Sequence, residues 1–316
     1  MAPLRLTSTG RPSRPSQTFR RSPSEVLHVL LRPCRTPSQG YSNWRCLVTG
    51  ASSGLGRSLA AALVHQGARV VMTGRSRDRL EAAAAPLRAE FGESRVRWIA
   101  ADLTSDADRD RLLEETASHF GGVLDLAINS AGVGATGHFD THHPDVLRRI
   151  FAINLIALAE VSRGVLPLLQ KSEHPSLVNI GSIVARRGLP GRAAYTSSKF
   201  AVAGFTESIR AEWAKYGIHV MLLNPGFTAT EFDRNLLTDT AIYPVTHRRH
   251  MTPEAVASAT LPAIQKRKNE LTLTYGGRLL ILVNRLIPRF VDWGLNRWTL
   301  HLFPDAPILQ TRRRSS

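Results

Sequence analysis

Thr49-Gly50-Ala51-Ser52-Ser53-Gly54-Leu55-Gly56 follows the apolar run Arg45-Cys46-Leu47-Val48 and precedes Arg57-Ser58-Leu59-Ala60-Ala61-Ala62-Leu63-Val64. A buried strand, a glycine-rich turn and a helix start predict an anion site, because the first helical turn leaves amide donors unpaired and carries the positive end of the dipole. Glycine permits positive φ and lets a ligand approach the backbone without meeting a Cβ. The spacing Gly50-x-x-x-Gly54-x-Gly56 is neither Gly-x-Gly-x-x-Gly nor a phosphate loop, which would need Gly-Lys followed by Ser or Thr. Taken alone, the octapeptide fits a ligand-free turn as well as a pyrophosphate cradle.

Outward from this stretch, apolar segments alternate with longer helical ones. Strands are expected at 45–49, 69–73, 96–100, 124–128, 176–181, 218–223 and 270–275, with helices between them, among them 55–66, 144–170 and 195–216. Gly67 stands where a C-terminal helix cap belongs, Thr104 or Ser105 can cap the helix after strand three, and Thr252-Pro253-Glu254 reads as N-cap, N1 and N2. The pattern predicts an α/β fold: a doubly wound, Rossmann-like parallel sheet of about seven strands with helices on both faces, and a site at the carboxyl ends of the strands. Residues 227–251 read as an irregular, charged lid.

The composition of the 316 residues, 43% hydrophobic and 21% charged, is that of a globular protein with a substantial core. The net charge of +16 is concentrated at the ends. Residues 1–43 hold seven Arg and one Glu, residues 263–316 hold ten Lys or Arg against three Asp or Glu, and the middle keeps 24 basic against 21 acidic residues. Basic ends suggest targeting or an anionic surface rather than base-specific recognition, so no specific nucleic-acid partner is expected. Cys34 and Cys46 give no disulfide framework, and His142-His143 with His247 and His250 lack any ligand pattern, so no metal is expected. No run of 18 apolar residues predicts a membrane-spanning helix. Residues 1–43 read as a mitochondrial-type targeting segment or a disordered tail, and the expected location is cytoplasmic, with a mitochondrial or membrane-surface alternative.

Tyr195-Thr196-Ser197-Ser198-Lys199 puts a phenol and an ammonium on one helix face. A tyrosine with an ordinary pKa of about 10 becomes a useful acid/base near neutrality when a cation stabilises its phenolate. Ser182, just past strand five, can hydrogen-bond a substrate oxygen. Asn154 is a polar residue inside the apolar stretch Arg149–Leu155, where a satisfied buried amide is the plainer reading. After strand two the chain has Gly74-Arg75, where an NAD enzyme would present Asp or Glu to the ribose; a guanidinium there suits a 2′-phosphate and favours NADP(H), with NAD(H) the alternative.

Thr49-Gly50-x-x-x-Gly54-x-Gly56, Asn129-Ser130-Ala131-Gly132, Asn154, Ser182, Tyr195-x-x-x-Lys199 and Pro225-Gly226 occur in one order over about residues 44–262. As a set they resemble the short-chain dehydrogenase/reductase family, compact NADP-preferring type. Ser130 departs from the Asn or Ala more often found there. The resemblance implies an NAD(P)-dependent oxidoreductase in which Tyr195 is the general acid/base, Ser182 positions the carbonyl, Lys199 lowers the tyrosine pKa and binds the nicotinamide ribose, and Asn154 holds a relay water. It further implies cofactor contacts at Gly50, Ser52, Ser53, Gly54, Leu55, Gly56, Arg75, Asp102, Leu103, Asn129, Gly132, Tyr195, Lys199, Pro225, Gly226 and Thr228.

The organisation expected is a tail at 1–43, the nucleotide-binding domain at 44–275 and a basic amphipathic extension at 276–316. The extension mixes apolar residues with Arg and Trp. It suits either packing over the cleft or against a second subunit, or peripheral contact with a membrane surface. Pro288 is expected to kink or interrupt its helix. The partners expected are a small-molecule carbonyl or alcohol, mainly apolar, and a second copy of the chain, as homodimer or homotetramer. A non-catalytic nucleotide-binding or regulatory protein on the same fold is the alternative function.

Overall fold

The computed structural model describes residues 40–226, 228, 232, 236–240 and 251–303. The expectations placed on residues 1–39 with Cys34, on most of 227–250 with His247 and His250, and on 304–316 lie outside the described residues.

Seven strands, β1 (Arg45–Thr49), β2 (Arg69–Gly74), β3 (Val96–Ala100), β4 (Leu126–Asn129), β5 (Ser176–Ile180), β6 (His219–Asn224) and β7 (Glu270–Thr272), form one sheet in the order β3-β2-β1-β4-β5-β6-β7. Every pairing is parallel. The doubly wound, Rossmann-like reading is therefore correct, and the order reverses between β1 and β4, where such sheets open a crevice. The last strand is shorter than expected, because Tyr275 already opens a helix.

Alternation along the strands fills two cores. Cys46, Val48, Val70 and Met72 point to one face, where they pack with α1 (Gly54–His65), α2 (Arg77–Phe91) and α7 (Pro253–Gln265). Leu47, Val71 and Ile99 point to the other, under α3 (Asp106–Phe120), α5 (Leu158–Leu169) and α6 (Ala193–Trp213). Fully burying one such Leu or Val contributes about 1.5–3 kcal/mol, so the sheet is specified from both sides.

The caps follow the sequence. Ser105 and Thr252 accept from the amides of Asp108 and Ala255. At the end of α1, Gly67 has φ +86°, its amide bonds Val64 O and that of Ala68 bonds Leu63 O, a Schellman closure. The packed chain starts before the expected boundary at residue 44: Tyr41 is buried, and its hydroxyl donates to Leu261 O at 2.6 Å.

The expected helix over 144–170 is one rod with a change of winding. α4 (Pro144–Phe151) passes through a π-helical segment, Ala152–Ala157, into α5. Pro144–Leu169 is long and apolar enough to cross a membrane by length and composition. Its Ile150, Val161, Val165 and Leu169 pack in the protein's own cores.

Candidate active site

The glycine turn sits at the point where the strand order reverses. Thr49 Oγ1 accepts from the amides of Ser130 and Ala131 at 3.0 and 3.1 Å, joining the ends of β1 and β4. Gly50 has φ +64°, and a Cβ on it would lie 2.8 Å from the Ala131 backbone. Ser53 is the N-cap of α1 but makes no side-chain cap, so the first-turn amides of Gly54, Leu55 and Gly56 keep no side-chain acceptor while these residues line a cavity. That combination leaves a helix N-terminus for an anion.

The cavity has a volume of about 1000 Å³. At one end it is walled by Arg75 and Arg79 after β2 and by Asp102 and Leu103 after β3. Neither arginine makes an ion pair among the described residues. Hydrogen bonds from the Thr104 amide and hydroxyl, with the nearby Arg75 charge, hold the Asp102 carboxyl below the usual carboxylate range. Arg79 was not singled out in the sequence; its position four residues after Arg75, in the first turn of α2, is the signal that points to it.

Towards the middle of the cavity α6 brings in Tyr195 and Lys199, both buried and one turn apart. Lys199 Nζ donates to Ile180 O at 2.7 Å and lies 5.8 Å from the centre of the Tyr195 ring. Burial pushes its pKa down to about 8. Ile180 ends β5, and Ser182 two residues later lines the same cavity while its Oγ accepts from the Val184 amide at 3.3 Å. The strand end and the helix thus meet through the Lys199–Ile180 bond, and Ser182, Tyr195 and Lys199 line one cavity.

Asn154 lies in the π-helical segment, fully buried. Its Oδ1 accepts from the Val133 amide at 2.8 Å, and its Nδ2 donates to Val133 O and to Ser198 Oγ. It is therefore a satisfied amide that fixes the chain after β4. A Cβ on Gly132 would stand 3.3 Å from Asn154 Oδ1 and 3.7 Å from Lys199 Nζ, so the backbone here passes close to both groups. π-helical turns inside α-helices are frequent at functional sites.

Asn129, expected to contact the adenosine side, turns its side chain inward: its Nδ2 donates to Ser162 Oγ and Asn179 Oδ1, both at 2.9 Å, in a buried network that continues from Asn179 to Thr206. The cavity is lined instead by its neighbours Ser130, Ala131 and Gly132. Asn129 ends a central strand, so its side chain is surrounded by helices and must pair inside the protein.

At the far end, Pro225, Gly226 and Thr228 line the cavity after β6, and Phe232 lies 5.4 Å from the Tyr195 ring. Two helices, α8 (Tyr275–Leu286) and α9 (Pro288–Leu302), wall this end with Leu280, Val283, Val291 and Leu295. Pro288 interrupts the extension as expected, at the first position of α9. Arg187 ties both helices to the loop after β5 by donating to Asn284 Oδ1 and pairing with Asp292. Among the described residues no group of three or more His, Cys, Asp or Glu is placed to hold a metal.

The profile of the short chain dehydrogenase family matches residues 45–241. An uncharacterised oxidoreductase of Staphylococcus aureus is 30% identical over 231 residues, 72% of this chain and 95% of its own length. Two solved structures superpose with TM-scores of 0.65. One is a short-chain dehydrogenase from Sphingobium yanoikuyae in complex with NADPH, 28% identical and covering 78% of this chain and 95% of its own. The other is a 3-ketoacyl-(acyl-carrier-protein) reductase from Brucella melitensis complexed with NADH, 25% identical and covering 74% and 97%.

Proposed function

This chain belongs to the short-chain dehydrogenase family, and from that premise we propose that it is an NADP(H)-dependent oxidoreductase interconverting a carbonyl and an alcohol on a mainly apolar substrate. The observation that carries the reading is the convergence of Ser182, Tyr195 and Lys199 on a cavity whose other end is the glycine turn with Arg75 and Arg79. The cavity's build supports a dinucleotide: Gly50, Gly54, Gly56 and Gly132 line it with bare backbone, and the first turn of α1 offers amides without a side-chain cap. Gly50, Ser52, Ser53, Gly54, Leu55 and Gly56 would hold the pyrophosphate, Asp102 and Leu103 the adenine, and Pro225, Gly226 and Thr228 the nicotinamide end.

A bound nicotinamide supplies or takes the hydride. The chain's own work is to hold the carbonyl and move a proton. Ser182 Oγ donates to the carbonyl oxygen, and the Tyr195 hydroxyl delivers the proton that makes it an alcohol. Lys199, oriented by Ile180 O, stabilises the phenolate left behind and reaches the ribose. Reprotonation runs through a water near Lys199 and Asn154, whose Oδ1 keeps a second lone pair beside Gly132. Leu280, Val283, Val291 and Leu295 give the substrate end hydrocarbon walls, which supports an apolar ketone or its alcohol. Ile156 and Phe200, exposed on the helices beside the site, support pairing of two copies as a homodimer or homotetramer.

Arg75→Asp is expected to weaken NADPH binding about 10- to 100-fold and to shift preference towards NADH, since it removes a charge-assisted contact and adds a repelling carboxylate. Titration of both coenzymes checks it; unchanged NADPH affinity rejects the assignment. Arg79→Ala should give a smaller loss in the same direction.

The pH dependence follows from Lys199. Below about 8 it carries the charge that stabilises the phenolate, and above that value the buried group loses its proton. The kcat/KM for carbonyl reduction is therefore expected to fall about tenfold per pH unit beyond a limb near about pH 8. A profile that stays level to about two pH units beyond that value would remove Lys199 from the role.

A further inference from the structure

We propose that the outer face of the α8–α9 hairpin docks on an anionic phospholipid bilayer, with the mouth of the cavity at the lipid surface. α8 is apolar on two sides. Leu280 and Val283 line the cavity, whereas Tyr275, Leu279, Leu282 and Leu286 recur every three or four residues as one exposed stripe. Ile287, Phe290 and Trp293 carry exposed apolar surface onto α9, where Phe290 and Trp293 stack at 5.8 Å. Among the described residues seven of the twelve exposed large hydrophobic side chains fall within 275–293, too concentrated for scattered surface residues.

The charge on the hairpin selects the occupant. Arg278, Arg285, Arg289 and Arg297 lie on these two helices, and Asp292, the acid among them, is already paired with Arg187. Arg297 lies 5.5 Å from the Trp293 ring, an aromatic–cation arrangement suited to the headgroup level. The sequence that follows adds Arg312, Arg313 and Arg314 against Asp305. A second copy meeting this face across a two-fold axis would bring the same arginines against one another, whereas an anionic headgroup layer neutralises them.

The patch is continuous with the site. Leu279 and Phe290 belong both to the exposed stripe and to the cavity wall. The docking face does not depend on the reductase reading. Its consequence does: an apolar carbonyl dissolved in lipid would reach Tyr195 without crossing water.

The test is co-sedimentation of the full chain with vesicles of phosphatidylcholine alone or mixed with phosphatidylglycerol. Binding is expected to be at least about tenfold stronger to the mixed vesicles and to weaken with salt. A combined Leu282→Glu, Leu286→Glu, Trp293→Glu variant, whose changes lie outside the cavity wall, should lose at least about tenfold in vesicle binding. It should keep its NADPH affinity and circular dichroism spectrum. No binding of the parent to the mixed vesicles, equal binding by the variant, or a dimer-to-monomer change on substitution in place of vesicle binding would overturn the proposal. Vesicle binding is read without turnover, so its failure and that of the reductase reading are separate results.

Discussion

Tyr195→Phe is expected to lower kcat for carbonyl reduction by about 10²- to 10⁴-fold, the usual contribution of a positioned general acid, while leaving NADPH affinity within about threefold. The substitution removes one oxygen and keeps the ring beside Phe232. Lys199 retains its bond to Ile180 O, and the Asn154 clamp on Val133 does not involve the phenol. Stability should therefore change by less than about 1 kcal/mol. Steady-state kinetics with a coenzyme titration and a thermal melt separate the effects. Full turnover by the variant would remove Tyr195 from the proton transfer.

The second large effect belongs to the glycine turn. In Gly56→Ala the new Cβ would sit 2.3 Å from Gly50 O and 2.7 Å from Gly50 C. Both atoms are backbone, held by the strand end and by the approach of Gly50 to Ala131, so no side-chain rotation relieves the contact. The turn must open, at a cost of about 1–3 kcal/mol in stability. The amides that would hold a pyrophosphate lose their alignment with it, and coenzyme affinity is expected to fall at least about 100-fold. Gly204→Ala is the control, because nothing lies within 4 Å of its Cβ position and an alanine suits the helix better. Equal coenzyme binding by Gly56→Ala and the parent would show that this turn is not the coenzyme's seat.

What was legible in the sequence is what short-range geometry dictates. Strands that alternate with longer helical segments give the parallel sheet, and the period of two along each strand separates Leu47 from Cys46 and Val48. The phenol and the ammonium are one turn apart on any helix, so Tyr195 and Lys199 could be paired before the fold was known. The use of Asn129 was not legible: the residue after a strand can face a ligand or the interior, and only the approach of Ser162 and Asn179 decides. Nor was the winding at Asn154, because Ala152–Ala157 is apolar at every position but Asn154, so the shift of face that an i→i+5 turn makes leaves no mark in the pattern. The sequence of the α8–α9 extension allows two roles, since a helix apolar on both sides carries no sign of which side faces the cavity. The structure gives one side to the cavity and leaves the other exposed.

The account rests on hydride transfer between a coenzyme seated on the glycine turn and a carbonyl held by Ser182 and Tyr195. Its most direct test is to oxidise NADPH bearing deuterium at the transferable position in the presence of an apolar ketone, and to analyse the product by mass spectrometry. The expected result is an alcohol with deuterium on the carbinol carbon, one for each NADPH consumed, formed about 10²- to 10⁴-fold more slowly with Tyr195→Phe. Coenzyme binding without labelled alcohol from any ketone in a broad panel would contradict it, leaving a nucleotide-binding protein without this reaction.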